Sequence, residues 1–383
     1  MSEIDAETLA ILRLSFCKGI GDNTISALIS EFGSAQNATC ASRSELASTP
    51  GISDALASVI SSGPDERRVE MEIDMLERTG SRLVSRDSEG YPEPLRRLDA
   101  SAPYLLRIRG EYRDENRLAI ALVGSRHATH YGRSQARRFA MQLGGMGFTI
   151  VSGMARGIDT ESHRAAIQSG APTIAVLGCG LSRIDSLHDP ELALEICENG
   201  ALISELPMDA PPLPKHFPPR NRLISGLSLG VVVLEARKRS GSLITARHAG
   251  EQGKDVFALP GNVTSGSSSG CHKLIRDGAT LVENPVEIIE ELGPLSSPVE
   301  LPRRDNSLSR QTSGEGYTLE DPRVLSINER ERQVFEMLSH TPVQIDDLTD
   351  KAGLPSSVVS STLLTLEIRG LIKRLPGQNY VRT

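Results

Sequence analysis

The chain has 383 residues, enough for two or three domains with a substantial core, and a globular composition with a formal net charge of -7. Its five cysteines, Cys17, Cys40, Cys179, Cys197 and Cys271, form no CxxC pair, and its eight histidines show no metal-ligand spacing. The cysteines read as reduced thiols, and no metal or cofactor is expected. No apolar run is long enough to span a bilayer and no signal-peptide pattern is seen, so the expectation is a cytoplasmic protein without membrane insertion.

Residues 1–79 read as an all-helical domain. Up to Ser62, short apolar helices are separated by tight turns at Gly19-Ile20-Gly21 and Pro50-Gly51-Ile52, a helix-hairpin-helix (SAM-like) pattern. Such hairpins can offer backbone amides to a phosphate. Met1–Ser62 carries seven acids against three bases, however, which favours a packing module over a DNA contact. Glu66–Thr79 is predicted to be a further amphipathic helix leading into the next domain.

Residues 80–292 are predicted to form an α/β domain with an extended, Rossmann-like parallel sheet. Strands are expected at Leu118–Val123, Phe148–Val151, Thr173–Leu177, Ala201–Ser204, Val231–Leu234, Asp255–Ala258 and Thr280–Val282, with helices between them and Val286–Leu292 closing the domain. The strand ends carry the chemistry. Gly124, Ser125 and Arg126 follow the first strand, and Arg126–Arg138 contains four arginines, two histidines and no acid. Ser152, Gly153, Arg156 and Gly157 follow the second. Lys215, Phe217, Arg220, Asn221 and Arg222 open a later helix. Lys238, Ser240, Gly241, Ser242 and Thr245 follow the Val231–Leu234 strand, with Arg237 and Arg239 alternating away from Lys238. Small residues and unpaired amides at helix starts attract phosphate, and in an open α/β sheet such turns meet in one crevice at the strand carboxyl ends. For Arg126 and Arg156 the competing role is a salt bridge to Asp159 or Glu205; for Phe217 it is packing beside prolines. The chain lacks tryptophan, and aromatics make up 3 % of it, so contacts to phosphates should outnumber contacts to bases.

Residues 293–323, rich in Pro, Ser and charge, read as a linker. Residues 324–383 look like a winged-helix domain: helices at Asn328–Ser339, Ile345–Ala352 and Pro355–Arg369, a turn at Gly353, and a hairpin turned at Pro376-Gly377. Arg369 is the only base of the third helix, and seven acids balance seven bases across the module. That favours a protein contact or regulatory role over duplex reading.

The motifs VGSR, SGMARGID, GCG, ISE, FPPRNRLISGLS, EARKRSGSLITA, ALPG and GCHKLIRDGA, in this order and preceded by GYPEPLRRLDASAPYLLRIRG, resemble the DNA-processing protein A (DprA, also called Smf) family. The resemblance implies a single-stranded DNA-binding protein, not an enzyme, that shelters incoming DNA during natural transformation and helps load the RecA recombinase. It also implies a homodimer formed at the far end of the sheet domain, for which Leu274 and Ile275 are the candidates, with a core position as their alternative. Two segments depart from the family pattern: Leu181–Pro190 lacks the usual tyrosine-proline pair, and His272 stands where asparagine is commoner.

Two other classes fit the fold. A nucleotide phosphoribohydrolase-like enzyme would need a catalytic acid after its phosphate turn, and RSGSLITARHA has none before Glu251. A dinucleotide-dependent oxidoreductase would need GxGxxG where this chain has GSRHAT, and no GxxxxGK[ST] phosphate loop is present.

Overall fold

The computed structural model describes residues 4–292 and, further on, residues 333–335, 337–338, 343–352, 359, 362–363, 366, 372–375 and 379–382. The chain divides into two compact units, residues 1–300 and 301–383.

Six helices open the first unit: α1 (Ala6–Phe16), α2 (Asp22–Phe32), α3 (Ala35–Cys40), α4 (Arg43–Ser48), α5 (Asp54–Ser62) and α6 (Glu66–Thr79). Their starts are local chemistry, since the side chains of Asp5, Ser34, Ser42, Ser53 and Asp65 each accept a backbone N–H of the helix that follows. Ile11, Leu12, Ile25, Leu28 and Leu46 form a core of their own, which reaches Tyr104 and Leu105 of the lead-in segment.

The rest of the unit runs β1 (Ser81–Ser85), α7 (Glu93–Arg96), β2 (Leu105–Gly110), β3 (Ala119–Gly124), α8 (His130–Gly145), β4 (Thr149–Ser152), α9 (Ile158–Gln168), β5 (Thr173–Val176), α10 (Pro190–Glu198) and β6 (Gly200–Ser204). It continues with α11 (Phe217–Gly226), β7 (Gly230–Glu235), α12 (Ser242–Glu251), β8 (Asp255–Ala258), α13 (Ser269–Arg276), β9 (Thr280–Leu281) and α14 (Pro285–Leu292). All nine strands join one sheet in the order β1-β2-β6-β5-β4-β3-β7-β8-β9. From β6 to β9 every pairing is parallel, as the alternation of strands and helices requires. The lead-in segment adds two strands that the sequence reading left unassigned, with β1 antiparallel to β2 and β2 antiparallel to β6.

Each central strand is buried on both faces. Ala119, Ala121, Val123, Val231 and Val233 pack with Leu223 and Ile224 of α11 and Ala246 and Ala249 of α12. Ile120, Leu122, Val232 and Leu234 point the other way, against Phe139 and Leu143 of α8, Ile158 of α9 and Ile288 of α14. Burial of a side chain of this size contributes about 1.5–3 kcal/mol, so the apolar run Val231–Leu234 is a strong determinant of the sheet centre.

The second unit holds a three-stranded antiparallel sheet, β10 (Val343–Gln344), β12 (Asn379–Arg382) and β11 (Ile372–Leu375) in that order, and a helix at Ile345–Ala352. Val334, Leu338, Leu348, Leu363, Leu366 and Ile372 fill its core. The linker 293–323, Gly353, most of the expected third helix with Arg369, and the turn Pro376-Gly377 lie outside the described residues.

Helical and sheet parts of the first unit are pinned by a buried ion pair. Arg107 on β2 donates through Nε to Glu72 Oε1 on α6 at 2.8 Å, both side chains being at most 3 % exposed. Arg107 also donates to the Glu205 carbonyl, and Glu72 Oε2 accepts the Met208 amide. Removing one partner leaves a buried charge uncompensated, so Glu72→Gln and Arg107→Met are each expected to cost about 3–5 kcal/mol, and a Glu72→Met/Arg107→Met double variant should recover part of the loss. Denaturant titration measures this; single variants within about 1 kcal/mol of the parent would refute it.

His163 of α9 is fully buried, with Nδ1 2.7 Å from Thr173 Oγ1 on β5 and Nε2 without a partner. Burial pushes its pKa from 6.5 down to about 3. As pH falls below 6.5 the unfolded chain takes up a proton that the folded chain refuses until about pH 3, so stability drops across that window and is unaffected above it. His163→Asn should flatten the stability–pH curve there by up to about 1.4 kcal/mol per pH unit. Parallel curves for variant and parent would exclude this role for His163.

Candidate functional site

The sheet order reverses at β3: the chain leaves it first toward β4, β5 and β6, and later returns to its other side as β7, β8 and β9. A crevice opens where strands on the two sides of such a switch send their connections apart. Here it measures about 530 Å³ and lies at the carboxyl ends of β3 and β7, against the first turns of α11 and α12.

Ten of the residues singled out in the sequence line it: Gly124, Ser125 and Arg126 after β3, Phe217, Arg220 and Asn221 on α11, and Ser240, Gly241, Ser242 and Thr245 around the start of α12. Arg126 is exposed, with its guanidinium carbon 5.2 Å from the centre of the Phe217 ring. That distance is within cation–π range. Phe217, half-buried, rests on Gly178, where a Cβ would strike the ring. It therefore serves as a packing platform under Arg126 as well as a wall of the crevice.

Arg220 forms the floor. It lies in the first turn of α11, as its fourth residue, and is 4 % exposed. Its Nη1 donates to the carbonyls of Gly153 (2.8 Å) and Val176, and its Nε to Asn221 Oδ1 at 3.2 Å. Burial lowers its pKa to about 10, against the opposing pull of Asp159. Asn221 reaches across through Nδ2 to the Gly241 carbonyl at 3.4 Å, tying the two walls together.

The turn after β4 differs from its expected use. Asp159 Oδ2 accepts the amides of Gly153 (3.1 Å) and Ala155 (3.2 Å), so the groups expected to meet a phosphate are already satisfied by a carboxylate of the same turn. Burial raises the Asp159 pKa to about 6, while Arg220 and these amides hold it down. Ser152 is fully buried and donates its hydroxyl to the Leu122 carbonyl. Gly157 has φ +86°, and a Cβ there would collide with the Ser125 carbonyl oxygen, so its role is conformational. Arg156 is the exposed residue of this turn; burial lowers the pKa of the nearby His188 against the pull of Asp189, with Arg156, Arg164 and Arg126 adding to the lowering. His188 lies in the segment that departs from the family pattern and bonds to Thr160 Oγ1 at 2.9 Å.

Lys215 and Lys238 are exposed and outside the crevice lining, whereas Arg237 and Arg239 line it. All three basic residues of the turn after β7 are exposed, and it is Arg237 and Arg239, not Lys238, that border the crevice. Arg222 points away and closes on Glu205 at 2.6 Å. Leu274 and Ile275 are half-buried against the main core, and Leu274 lines a separate cavity between α12, α13 and the β8–β9 edge. Sequence reasoning also missed Asp159 as a lining residue, though its position at the start of α9 was the available signal.

Glu235, 1 % exposed at the end of β7, accepts the Thr129 amide at 3.0 Å and its hydroxyl, which clamps the start of α8. The acids around the crevice are therefore engaged: Asp159 with backbone amides, Glu235 with Thr129, Glu205 with Arg222 and Glu161 with Arg133 and Arg137. Arg126, Arg156, Lys215, Arg237, Lys238 and Arg239 take part in no ion pair among the described residues. The described residues contain no group of acids, histidines and cysteines arranged to hold a metal, and no helix long and apolar enough to cross a membrane.

Comparison with known proteins shows the family. The family model described as DNA recombination-mediator protein A matches residues 82–293, and the DprA winged helix domain model matches residues 321–378. Protein Smf of Escherichia coli K12 is 41 % identical over 82 % of this chain and 81 % of its own length. DNA processing protein DprA of Streptococcus pneumoniae is 43 % identical over 50 % of this chain and 67 % of its own. A solved structure of the S. pneumoniae protein superposes with a TM-score of 0.66 at 32 % identity, covering 74 % of this chain and 97 % of that one. A structure of the Helicobacter pylori protein, described for its single-stranded DNA binding mode, superposes with a TM-score of 0.50 at 29 % identity over 55 % of this chain and 95 % of that one. With both its sheet domain and its C-terminal module matched, the chain belongs to the DNA-processing protein A (DprA/Smf) family.

Proposed function

We propose that this chain binds single-stranded DNA by its backbone in the crevice at the β3/β7 switch point, sheltering DNA taken up in natural transformation and assisting its transfer to a RecA recombinase. The observation that carries the reading is the concentration of unpaired cations around a cleft whose own acids are all engaged. Arg126, Arg237 and Arg239 reach into it, and Gly241 and Ser242 open α12 beside them. The H. pylori relative, described as binding single-stranded DNA, supports the choice of ligand.

Binding without catalysis is the better account of the same residues. Asp159 is the acid of the crevice, and its carboxylate is spent on two amides beside a buried arginine. A phosphoribohydrolase would release free base from nucleoside monophosphates at an enzyme-like rate; the pure protein is expected to release none. A homodimer would set two crevices on one strand and raise avidity. We assign the winged-helix module a protein-contact or regulatory role, so a chain ending at Gly293 should keep most of its single-strand affinity, and a large loss on truncation would overturn that assignment.

Arg126→Ala is expected to weaken binding about equally for every oligonucleotide sequence and to lower the slope of log K against log salt by about one. Loss restricted to particular sequences would contradict a phosphate contact.

Gly241 provides a second test, because it has φ -62° and its Cβ position is open, so a side chain there points into free space. Gly241→Glu should leave the melting temperature unchanged and reduce DNA affinity about tenfold or more through charge repulsion. Gly157→Ala should instead destabilise the fold. Undiminished binding by a folded Gly241→Glu protein would place the DNA elsewhere.

A further inference from the structure

A second cavity, of about 560 Å³, lies one step along the β3–α8 connection from the crevice. Arg126 and His127 line the first, and Thr129, His130 and Tyr131 line the second. Its opposite wall is the loop after β8, including Gly261, Asn262 and Ser268, and none of its lining residues is acidic.

Tyr131 sets this cavity apart. It is 43 % exposed, more than any other aromatic side chain among the described residues. Aromatics elsewhere in the unit are used for packing: Phe139 and Phe257 are fully buried, and Phe217 lies under Arg126. The exposed ring is also fixed, because its hydroxyl donates to the Pro260 carbonyl at 2.9 Å, so the side chain spans the mouth of the cavity from α8 to the β8 loop. A ring whose position is held by one polar tip while its face stays open loses little rotational freedom on stacking. Every base has a π-face, and stacking on such a ring is tolerant of sequence.

We infer that the cavity at Tyr131 is a nucleobase subsite of the same single strand: a nucleotide beyond those held by phosphates in the crevice turns its base onto the Tyr131 ring, between the start of α8 and the β8 loop. The inference rests on the crevice reading above, since continuity along Arg126–Tyr131 is what supplies the strand. It adds a contact of different chemistry, one that gains affinity from base area instead of charge.

The two contacts separate by salt. With the full-length chain and a fluorescent thymidine oligonucleotide, Tyr131→Ala is expected to weaken binding about tenfold with an unchanged salt slope, whereas Arg126→Ala lowers the slope. Tyr131→Phe loses the hydroxyl tether but keeps the ring, and should bind within about threefold of the parent. An oligonucleotide carrying 5-iododeoxyuridine should photocrosslink to Tyr131, as read by peptide mass spectrometry. If Tyr131→Ala binds like the parent while Arg126→Ala is impaired, the base subsite is wrong and the crevice stands; if neither variant is impaired, both readings fall. Equal losses in Tyr131→Phe and Tyr131→Ala, with no crosslink to Tyr131, would show that the hydroxyl serves the loop and overturn the stacking role.

Discussion

The crevice depends on Arg220. Its guanidinium lies under the cleft, where it donates to the carbonyls that end β4 and β5 and faces the buried Asp159. Three segments distant in sequence thereby meet at one group: the turn after β4, the end of β5 and the first turn of α11. Through Asn221 the same side-chain pair reaches the Gly241 carbonyl, so the start of α12 belongs to the network too. At its other end α11 is held by Lys254, whose Nζ donates to the carbonyls of Ser225, Gly226 and Ser228. A wall fixed at both ends lets the cleft keep its shape without a ligand, which lowers the ordering cost of binding.

Arg220 also sets the electrostatic character of the site. An aspartate alone at the bottom of a cleft would repel a polyanion. Bonded to two amides and within the field of Arg220, Asp159 is offset locally, and Arg126, Arg237 and Arg239 are the other charged groups that line the cleft. The division of labour among arginines is then physical: the buried Arg220 holds the frame, and the exposed arginines without ion pairs are left for the proposed ligand. The chain makes the same use of buried charge at the sheet edge, where Arg107 and Glu72 join the helical part to β2.

Most of the sheet was legible because its strands are short β-branched runs between small-residue turns, and because parallel strands buried on both faces have no polar alternation to obscure them. β1 and β2 were missed for the opposite reason: SRLVS and LLRIRG place arginines among their apolar residues, and Arg107 is buried only because Glu72, 35 residues away in sequence, accepts from it. The site was legible at the level of turns but not of atoms. Sequence placed Arg126, Arg220, Ser240 and Gly241 in one crevice, yet it could not show that Asp159 takes the amides of its own turn, nor that Arg237 and Arg239 point inward in place of Lys238. Both depend on where a turn closes, and one residue of phase reverses the side chain's direction.

A net charge of -7 is compatible with the proposed polyanion ligand because screening makes electrostatics local. At physiological ionic strength exposed charges farther apart than about 8 Å are largely screened in solvent, so net charge says little about the field at the cleft. What the cleft's ligand meets is the immediate set of exposed cations and the amides between them. The same locality makes the distribution useful: a negatively charged remainder discourages a strand from settling elsewhere on the surface, and low-dielectric walls focus the positive field at the mouth. For the strand proposed here, a cleft lined by arginines, Phe217, Pro218 and small residues would offer contacts to a backbone more readily than to base edges.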